Sequence, residues 1–242
     1  MYHGWQKQPN ALTVEEILAG SMSIILQEKV ELTGAGRTDT SVHASYFIAH
    51  FTSEHSDLHC RDKVLYQINA LLPADIHVQR IFLMPDDAHA RFDALSRSYE
   101  YHIATEKNPF LLDFCYYFFV PLDINRMNEA CAILLKHSDF TSFSKMHSDV
   151  KTHNCTIYAA QWIRRDNQLV FTITADRFLR NMVRAIVGTM IDIGSEKKTI
   201  RDFEKIILAK DRSLAGTSVP AKGLILTDIA YPQSYRLKDP AS

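Results

Sequence analysis

The residues best suited to chemistry lie in one short run, Gly34-Ala35-Gly36-Arg37-Thr38-Asp39-Thr40-Ser41-Val42-His43-Ala44. It is not a phosphate-binding P-loop, because no Gly-Lys-Ser/Thr follows a four-residue gap. Nor is it a dinucleotide fingerprint, since the third glycine is absent and a strand, not a helix, is expected next. It offers a tight backbone entry and then Arg37 and Asp39, two residues apart. In extended backbone those two side chains share a side. A carboxylate beside a guanidinium stays ionised at neutral pH, because the opposite charge favours the charged form. Held in a groove, such a carboxylate can act as a nucleophile. The spacing also admits a turn aspartate capping its own loop, with Arg37 as a surface partner.

The elements that must position this run are read from periodicity. Thr13 and Glu16 have capping-box spacing, and Val14, Ile17, Leu18, Met22, Ile25 and Leu26 follow as one helical stripe. Strands are expected at Val30–Thr33, Ala44–Phe51 and Ile76–Phe82, with a helix over Arg61–Leu72 that Pro73 ends. The second half reads as a strand at Ser98–Ile103, a helix from the Asp123 cap to about Lys136, and strands at Thr156–Arg164 and Leu169–Thr174. A long helix over about Phe178–Ile193, a helix over Thr199–Ala209 and a strand at Leu224–Ile229 follow. The last residues, about Ser234 to Ser242, read as a loose tail.

The fold class expected is α+β. Two split-βαβ, ferredoxin-like halves each carry an antiparallel sheet with helices on one face, with an active cleft between them. The first strand of the N-terminal half has no counterpart, since the chain opens abruptly at Met1-Tyr2-His3-Gly4-Trp5. The expected halves are 1–95, carrying the Asp39 loop, and 96–242, carrying the Tyr99 strand and the Arg184 helix.

Across 242 residues, 27 Lys+Arg oppose 28 Asp+Glu, which excludes steering by bulk charge but not a local basic groove. No apolar run approaches the ~20 residues that span a bilayer. Cys60, Cys115, Cys131 and Cys155 include no Cys-x-x-Cys pair, so reduced thiols in a cytoplasmic protein are expected rather than a metal site. On a helical wheel, Arg177, Arg180 and Arg184 fall within an arc of roughly 60° with no acidic i,i+4 partner, a stripe suited to phosphates. Arg91, Arg97, Lys145 and Lys151 are further candidates for backbone contact. His43 and His89 are given no chemical role; Trp5 and Phe92 are expected to pack, and Met182 and Met190 to fill core.

The Gly34–Ala44 run resembles the signature of the bacterial tRNA pseudouridine synthase A family. Further similar blocks follow the family's order: Gly4-Trp5-Gln6 with Gln8-Pro9-Asn10, Asn69-Ala70-Leu71-Leu72-Pro73, and His89-Ala90-Arg91-Phe92. Ser96-Arg97-Ser98-Tyr99-Glu100-Tyr101, Asp139-Phe140-Thr141-Ser142-Phe143, and Met182-Val183-Arg184 with Ile186-Val187-Gly188 complete them. The resemblance implies an enzyme without cofactor or metal that converts uridine to pseudouridine at positions 38, 39 and 40 of the tRNA anticodon stem-loop. It implies a homodimer whose subunits together hold one tRNA. By motif position, Asp39 is the catalytic aspartate, Tyr99 stacks on the target base, and Arg184 pairs with Asp39; Arg37, two residues before Asp39, would join Arg184 in keeping it charged and aimed.

The chemistry breaks the C1′–N1 bond, turns the uracil and rejoins it through C5. One ionised carboxylate attacks C1′ or assists loss of the 2′ proton; the residues leave both routes open. A closed pocket with an aromatic wall must retain the free base. Two departures stand out: Ser41 replaces the family's usual glycine before Val-His, and the opening strand is lacking. They leave a tRNA-binding paralogue without catalysis as the alternative; an unrelated carboxylate hydrolase would need a second placed carboxylate.

Overall fold

The computed structural model describes residues 2–145, 151–235 and 237, so most of the expected C-terminal tail lies outside the described residues. The chain divides into two compact units. The first comprises Met1–Ser41, Phe47–Leu95 and the chain from Ile229 onward; the second comprises Val42–Tyr46 and Ser96–Asp228. The single boundary expected after residue 95 is therefore joined by two exchanges, a five-residue excursion at 42–46 and a late return at 229.

The first unit opens with helix α1, Val14–Leu26, whose Thr13 side chain accepts from the Glu16 N–H. Glu16 itself faces Lys7 at 3.6 Å. Strand β1, Thr33–Gly34, pairs antiparallel with β3, Ala49–His50; β2, His43–Ala44, belongs to the other unit. The uninterrupted strand expected over Ala44–Phe51 is thus two short pieces parted by a bend. Its apolar composition reports burial in two places rather than one ladder. Helix α2, Asp62–Leu71, packs Ile68 into a core with Trp5, Met22, Leu26, Leu58 and Leu72.

Ile76–Phe82 forms no strand, although Ile76, Val78 and Ile81 do face this core. The side chain of Asn69 takes both backbone groups of Val78, donating to its carbonyl and accepting from its N–H, each at 2.8 Å. A side-chain amide thereby occupies groups a neighbouring strand would have used.

The second unit is built on a longer sheet. It contains β4 (Ser96–Ala104), β5 (Tyr116–Tyr117), β6 (Ile157–Arg165), β7 (Gln168–Ala175) and, as far as Asp228, β8 (Leu224–Ala230). The strand order is β2-β8-β4-β7-β6, with β5 also on β4. The ladders of β7 with β4 and with β6 are antiparallel, as expected; β2 on β8 and β5 on β4 add two-residue parallel pairs. Asp166 takes a left-handed conformation, φ 51°, in the tight β6–β7 turn.

Alternation sends Tyr101, Ile103, Leu169, Phe171 and Ile173 to one sheet face. There they share a core with helices α3 (Ile124–Leu134), α4 (Met182–Gly194) and α5 (Ile200–Ala209). The architecture is α+β, with helices on one face of this sheet. Local caps start two helices where spacing expects them: Asp123 accepts from the N–H groups of Asn125 and Arg126, and Thr199 with Asp202 closes a full capping box. The motif 139–143 is consumed by packing, with Phe140 and Phe143 fully buried and the Ser142 hydroxyl donating to Ile206 O at 2.5 Å. No helix among the described residues is long and apolar enough to cross a membrane.

Helix α4 is buried on nearly every side; among its residues only Arg184 and Asp192 keep partial exposure. Gly188 lets the 215–220 loop lie directly on it, because a Cβ there would stand 1.8 Å from Thr217 O. Gly188→Ala should therefore lower the unfolding free energy by about 3 kcal/mol, since a backbone carbonyl must move to admit the methyl. Denaturant unfolding of the purified variant checks this; a loss of a few tenths would contradict the close contact.

Candidate active site

The Asp39 loop is held by backbone approaches that only glycine permits. Gly34 lies beneath the Trp5 and Phe47 rings, whose centroids are 4.3 Å apart; a Cβ at Gly34 would stand 2.5 Å from Trp5 Nε1. Gly4 adopts φ 82°, and a Cβ there would sit 2.2 Å from Thr38 O. The same carbonyl accepts the Trp5 N–H at 3.3 Å, and Ala35 N–H donates to Ile48 O at 2.8 Å. The backbone immediately before Asp39 is thus clamped by the N-terminal Gly4-Trp5 block. Arg37 is exposed and Asp39 half-buried, in irregular backbone rather than a strand.

Ser41 ends the loop at φ 64°. That is the left-handed region in which glycine is free of steric cost and serine is not. Beyond it, His43 Nε2–H donates to Asp113 O at 2.7 Å and its ring lies 4.6 Å from Phe114.

The other candidates, Arg91 apart, belong to the second unit. Tyr99 stands opposite Ile173 on β4, half-buried, with its ring edge-on to Phe178 at 5.2 Å and 89°. Tyr101, one face-repeat along, is fully buried; its hydroxyl donates to Pro220 O at 2.8 Å, and burial pushes its phenol well above the ordinary range. Tyr101 is core, as expected. Arg97 and Arg177 converge on Asp176. Arg97 Nη1 donates to the Asp176 carbonyl at 2.9 Å, and the Arg177 N–H donates to its carboxylate at 2.7 Å.

The cationic stripe expected of Arg177, Arg180 and Arg184 is corrected. Helix α4 starts at Met182, so Arg177 and Arg180 precede it. Asn181 breaks the continuity with φ 68°, and its amide donates to Ser218 Oγ at 2.6 Å. A contact from a loop 37 residues onward sets this start, so no local periodicity reveals it. Arg180 is exposed, and its carbonyl accepts the Lys145 N–H at 3.0 Å.

Arg184 stands out for a different reason than its spacing. It is the one cation on a helix whose other residues, Asp192 apart, are buried. Its Nε–H donates to Val219 O at 2.7 Å, while its own carbonyl accepts the Val219 N–H at 3.3 Å. This reciprocal pair restricts the long side chain. Among the described residues no three His, Cys, Asp or Glu side chains gather as metal ligands.

Known proteins share both units. A family model described as tRNA pseudouridine synthase matches residues 130–232. The tRNA pseudouridine synthase A of Bacteroides fragilis is 50% identical over 233 residues, covering 96% of this chain and 92% of that protein. The enzyme of the same name from Clostridium acetobutylicum is 38% identical over 232 residues, covering 95% of this chain and 94% of its own. The chain belongs to the tRNA pseudouridine synthase A family. It is therefore an enzyme, an isomerase of the pseudouridine synthase type.

Family membership gives the blocks outside the Asp39 loop a second reading, because one of them supports that loop and others brace their own segments. Gly4-Trp5 clamps Thr38, and Asn69 ties down Val78. His89-Ala90-Arg91-Phe92 forms a tight loop in which His89 Nδ1 accepts from the Arg91 and Phe92 N–H groups at 3.1 and 3.3 Å. Arg91 is exposed, its guanidinium 5.9 Å from the Phe92 ring centroid. Trp5 packs as expected, 7% exposed, but Phe92 does not: it is 76% exposed. The loop's own hydrogen bonds turn that ring outward, which no pattern of apolar residues could reveal.

Two consequences are measurable. Ser41→Val should cost about 1–2 kcal/mol of stability, because a β-branched side chain is worst suited to the left-handed region, while Ser41→Gly should be tolerated. Comparing the thermal midpoints of both variants with the parent checks the order. The second concerns His50, whose Nδ1 accepts the Ala90 N–H at 3.1 Å. Burial, with His89 beside it, holds its pKa below the ordinary 6.5. Its folded form resists a proton that the unfolded chain accepts, so its contribution to stability falls as pH drops below that ordinary value. Unfolding free energies between about pH 7 and about pH 5 should fall less steeply in His50→Asn than in the parent. Parallel slopes would show that His50 does not contribute.

Proposed function

We propose that this protein isomerises uridine to pseudouridine in the anticodon stem-loop of tRNA, at positions 38, 39 and 40, with Asp39 as the catalytic carboxylate. Arg184 and Arg37 are the catalytic cations in this reading, and Tyr99 stacks on the target base. Arg91, Arg97, Arg177 and Arg180 bind the RNA. The working form is a homodimer, and no cofactor takes part.

The observation that carries the reading is the way the Asp39 backbone is held. A half-buried carboxylate follows a carbonyl clamped by Gly4 and Trp5 and precedes a left-handed residue. Two glycines and one strained residue around a single carboxylate are more than a solvent-exposed turn needs. Strain of this kind is kept where geometry must be pre-set. The names of the relatives supply the substrate class, tRNA.

The chemistry is balanced without an external reactant, because pseudouridine is an isomer of uridine. The C1′–N1 bond breaks and a C1′–C5 bond forms. The proton on C5 leaves and N1 gains one. A single ionised carboxylate suffices on either route, by attack at C1′ or by assisting removal of the 2′ proton. An aromatic wall retains the detached uracil until it turns.

Incubation with unmodified tRNA, followed by mapping of pseudouridine, tests the proposal. Asp39→Asn should yield no product while tRNA binding persists, and Arg184→Ala should lose most turnover. Product from Asp39→Asn would remove Asp39 from the chemistry. Binding by the parent protein without product at any uridine would leave a tRNA-binding protein instead.

A further inference from the structure

The loop 89–93 in the first unit is built more rigidly than its surface position requires. His89 N–H donates to the Asp93 carboxylate at 2.5 Å, and Asp93 N–H returns to His89 O at 3.1 Å. His89 Nδ1 takes the N–H groups of Arg91 and Phe92, and His50 Nδ1 takes that of Ala90. The Tyr231 hydroxyl donates to Ala90 O, and the Tyr235 hydroxyl donates to Asp93 Oδ2 at 2.8 Å. Every N–H from His89 to Asp93 is satisfied within the unit. The loop is fixed at both ends and in its middle.

This frame delivers an aromatic ring to solvent. Phe92 is 76% exposed, with the His89 ring behind it at 4.2 Å and 31°. The Arg91 guanidinium carbon stands 5.9 Å from its centroid. Burying such a side chain would stabilise the fold, and the loop forgoes that gain. A rigid, backed, outward ring beside a cation matches the physical needs of base stacking. Every base has a π face, and the neighbouring phosphate takes the guanidinium.

We propose that Phe92 is a stacking platform for an unpaired nucleotide of the RNA substrate, with Arg91 at its phosphate. The inference rests on the proposed tRNA substrate and extends it to a contact distinct from the Tyr99 base contact. It is a binding role, and Phe92 takes no part in bond making.

The test uses the full-length protein and a fluorescently labelled anticodon stem-loop RNA. Stacking is worth about 1–3 kcal/mol per base, so Phe92→Ala should weaken binding roughly 5- to 150-fold. Phe92→Trp should bind like the parent, and Phe92→Leu, apolar but without a π face, should not. Trp5 and Trp162 are both buried, at 7% and 1% exposure, so fluorescence quenching confined to Phe92→Trp would report the stack directly.

Unchanged binding in Phe92→Ala, full rescue by leucine, or an unquenched indole in the RNA complex each overturns the proposal. So does a change of oligomeric state in Phe92→Ala by sedimentation, which would assign the ring to a contact with a second copy. Pseudouridine mapping on the same RNA separates the two readings. Product from the parent with a flat Phe92 series removes the platform alone. Phe92-dependent binding without product removes the isomerase proposal alone.

Discussion

One carbonyl oxygen governs the placement of the carboxylate on which the proposed chemistry turns. Thr38 O lies where no β-carbon at residue 4 could coexist with it, 2.2 Å from that position, and it also accepts the Trp5 N–H. Backbone against backbone is a stiff contact, since neither side can relax by turning a side chain. Residue 39 therefore inherits its position from a segment more than thirty residues earlier in the chain. Trp5, buried against Phe47, anchors that segment to the core formed by α1 and α2.

The second unit uses the same device on a cation. Gly188 admits Thr217 O to the surface of α4, and the loop that carries Thr217 also carries Val219, to which Arg184 is bonded in both directions. Thr189 Oγ1 accepts the Gly216 N–H at 2.8 Å and donates to Ala185 O, tying the loop to the helix interior. A guanidinium on a long flexible stem loses considerable rotamer freedom when localised. Here that loss is spread over a helix and a loop already packed for other reasons. Glycine-mediated backbone contact thus helps to set both the carboxylate, on an irregular loop, and the cation, on helix α4.

Residues of similar character had different fates, and the reasons are local. Tyr99 and Tyr101 share a strand face, yet Tyr101 is core with a hydroxyl bonded to Pro220 while Tyr99 keeps partial exposure against Phe178. His43 and His89 have ring nitrogens engaged by the backbone. Asp139 would be raised by burial, yet hydrogen bonds from Lys210 and Thr141 hold it at about 2. These motif residues build the scaffold, whereas the supports of the Asp39 loop fix the backbone of a half-buried carboxylate.

The sequence by itself determined what depends on near neighbours and on repeat period. The caps at Asp123 and Thr199 act over three residues, the β4, β6 and β7 strands alternate, and the helices α1, α2, α3 and α5 start within a residue or two of expectation. The spacing of the run 34–44 leaves Asp39 open between a nucleophile and a turn cap; the family resemblance singles it out and marks Ser41, which takes the left-handed conformation, as a position usually held by glycine. Tertiary structure decided the rest. The start of α4 needed Ser218 to hold Asn181, the loss of a strand at 76–82 needed Asn69 to occupy Val78, and the 44–51 run divided between two units. Phe92 faces outward because partners from residues 50, 231 and 235 hold its loop. Such outcomes rest on hydrogen bonds between residues far apart in the chain. Their formation depends on the completed fold, so hydrophobic period, which records only which side of an element is buried, carries no trace of them.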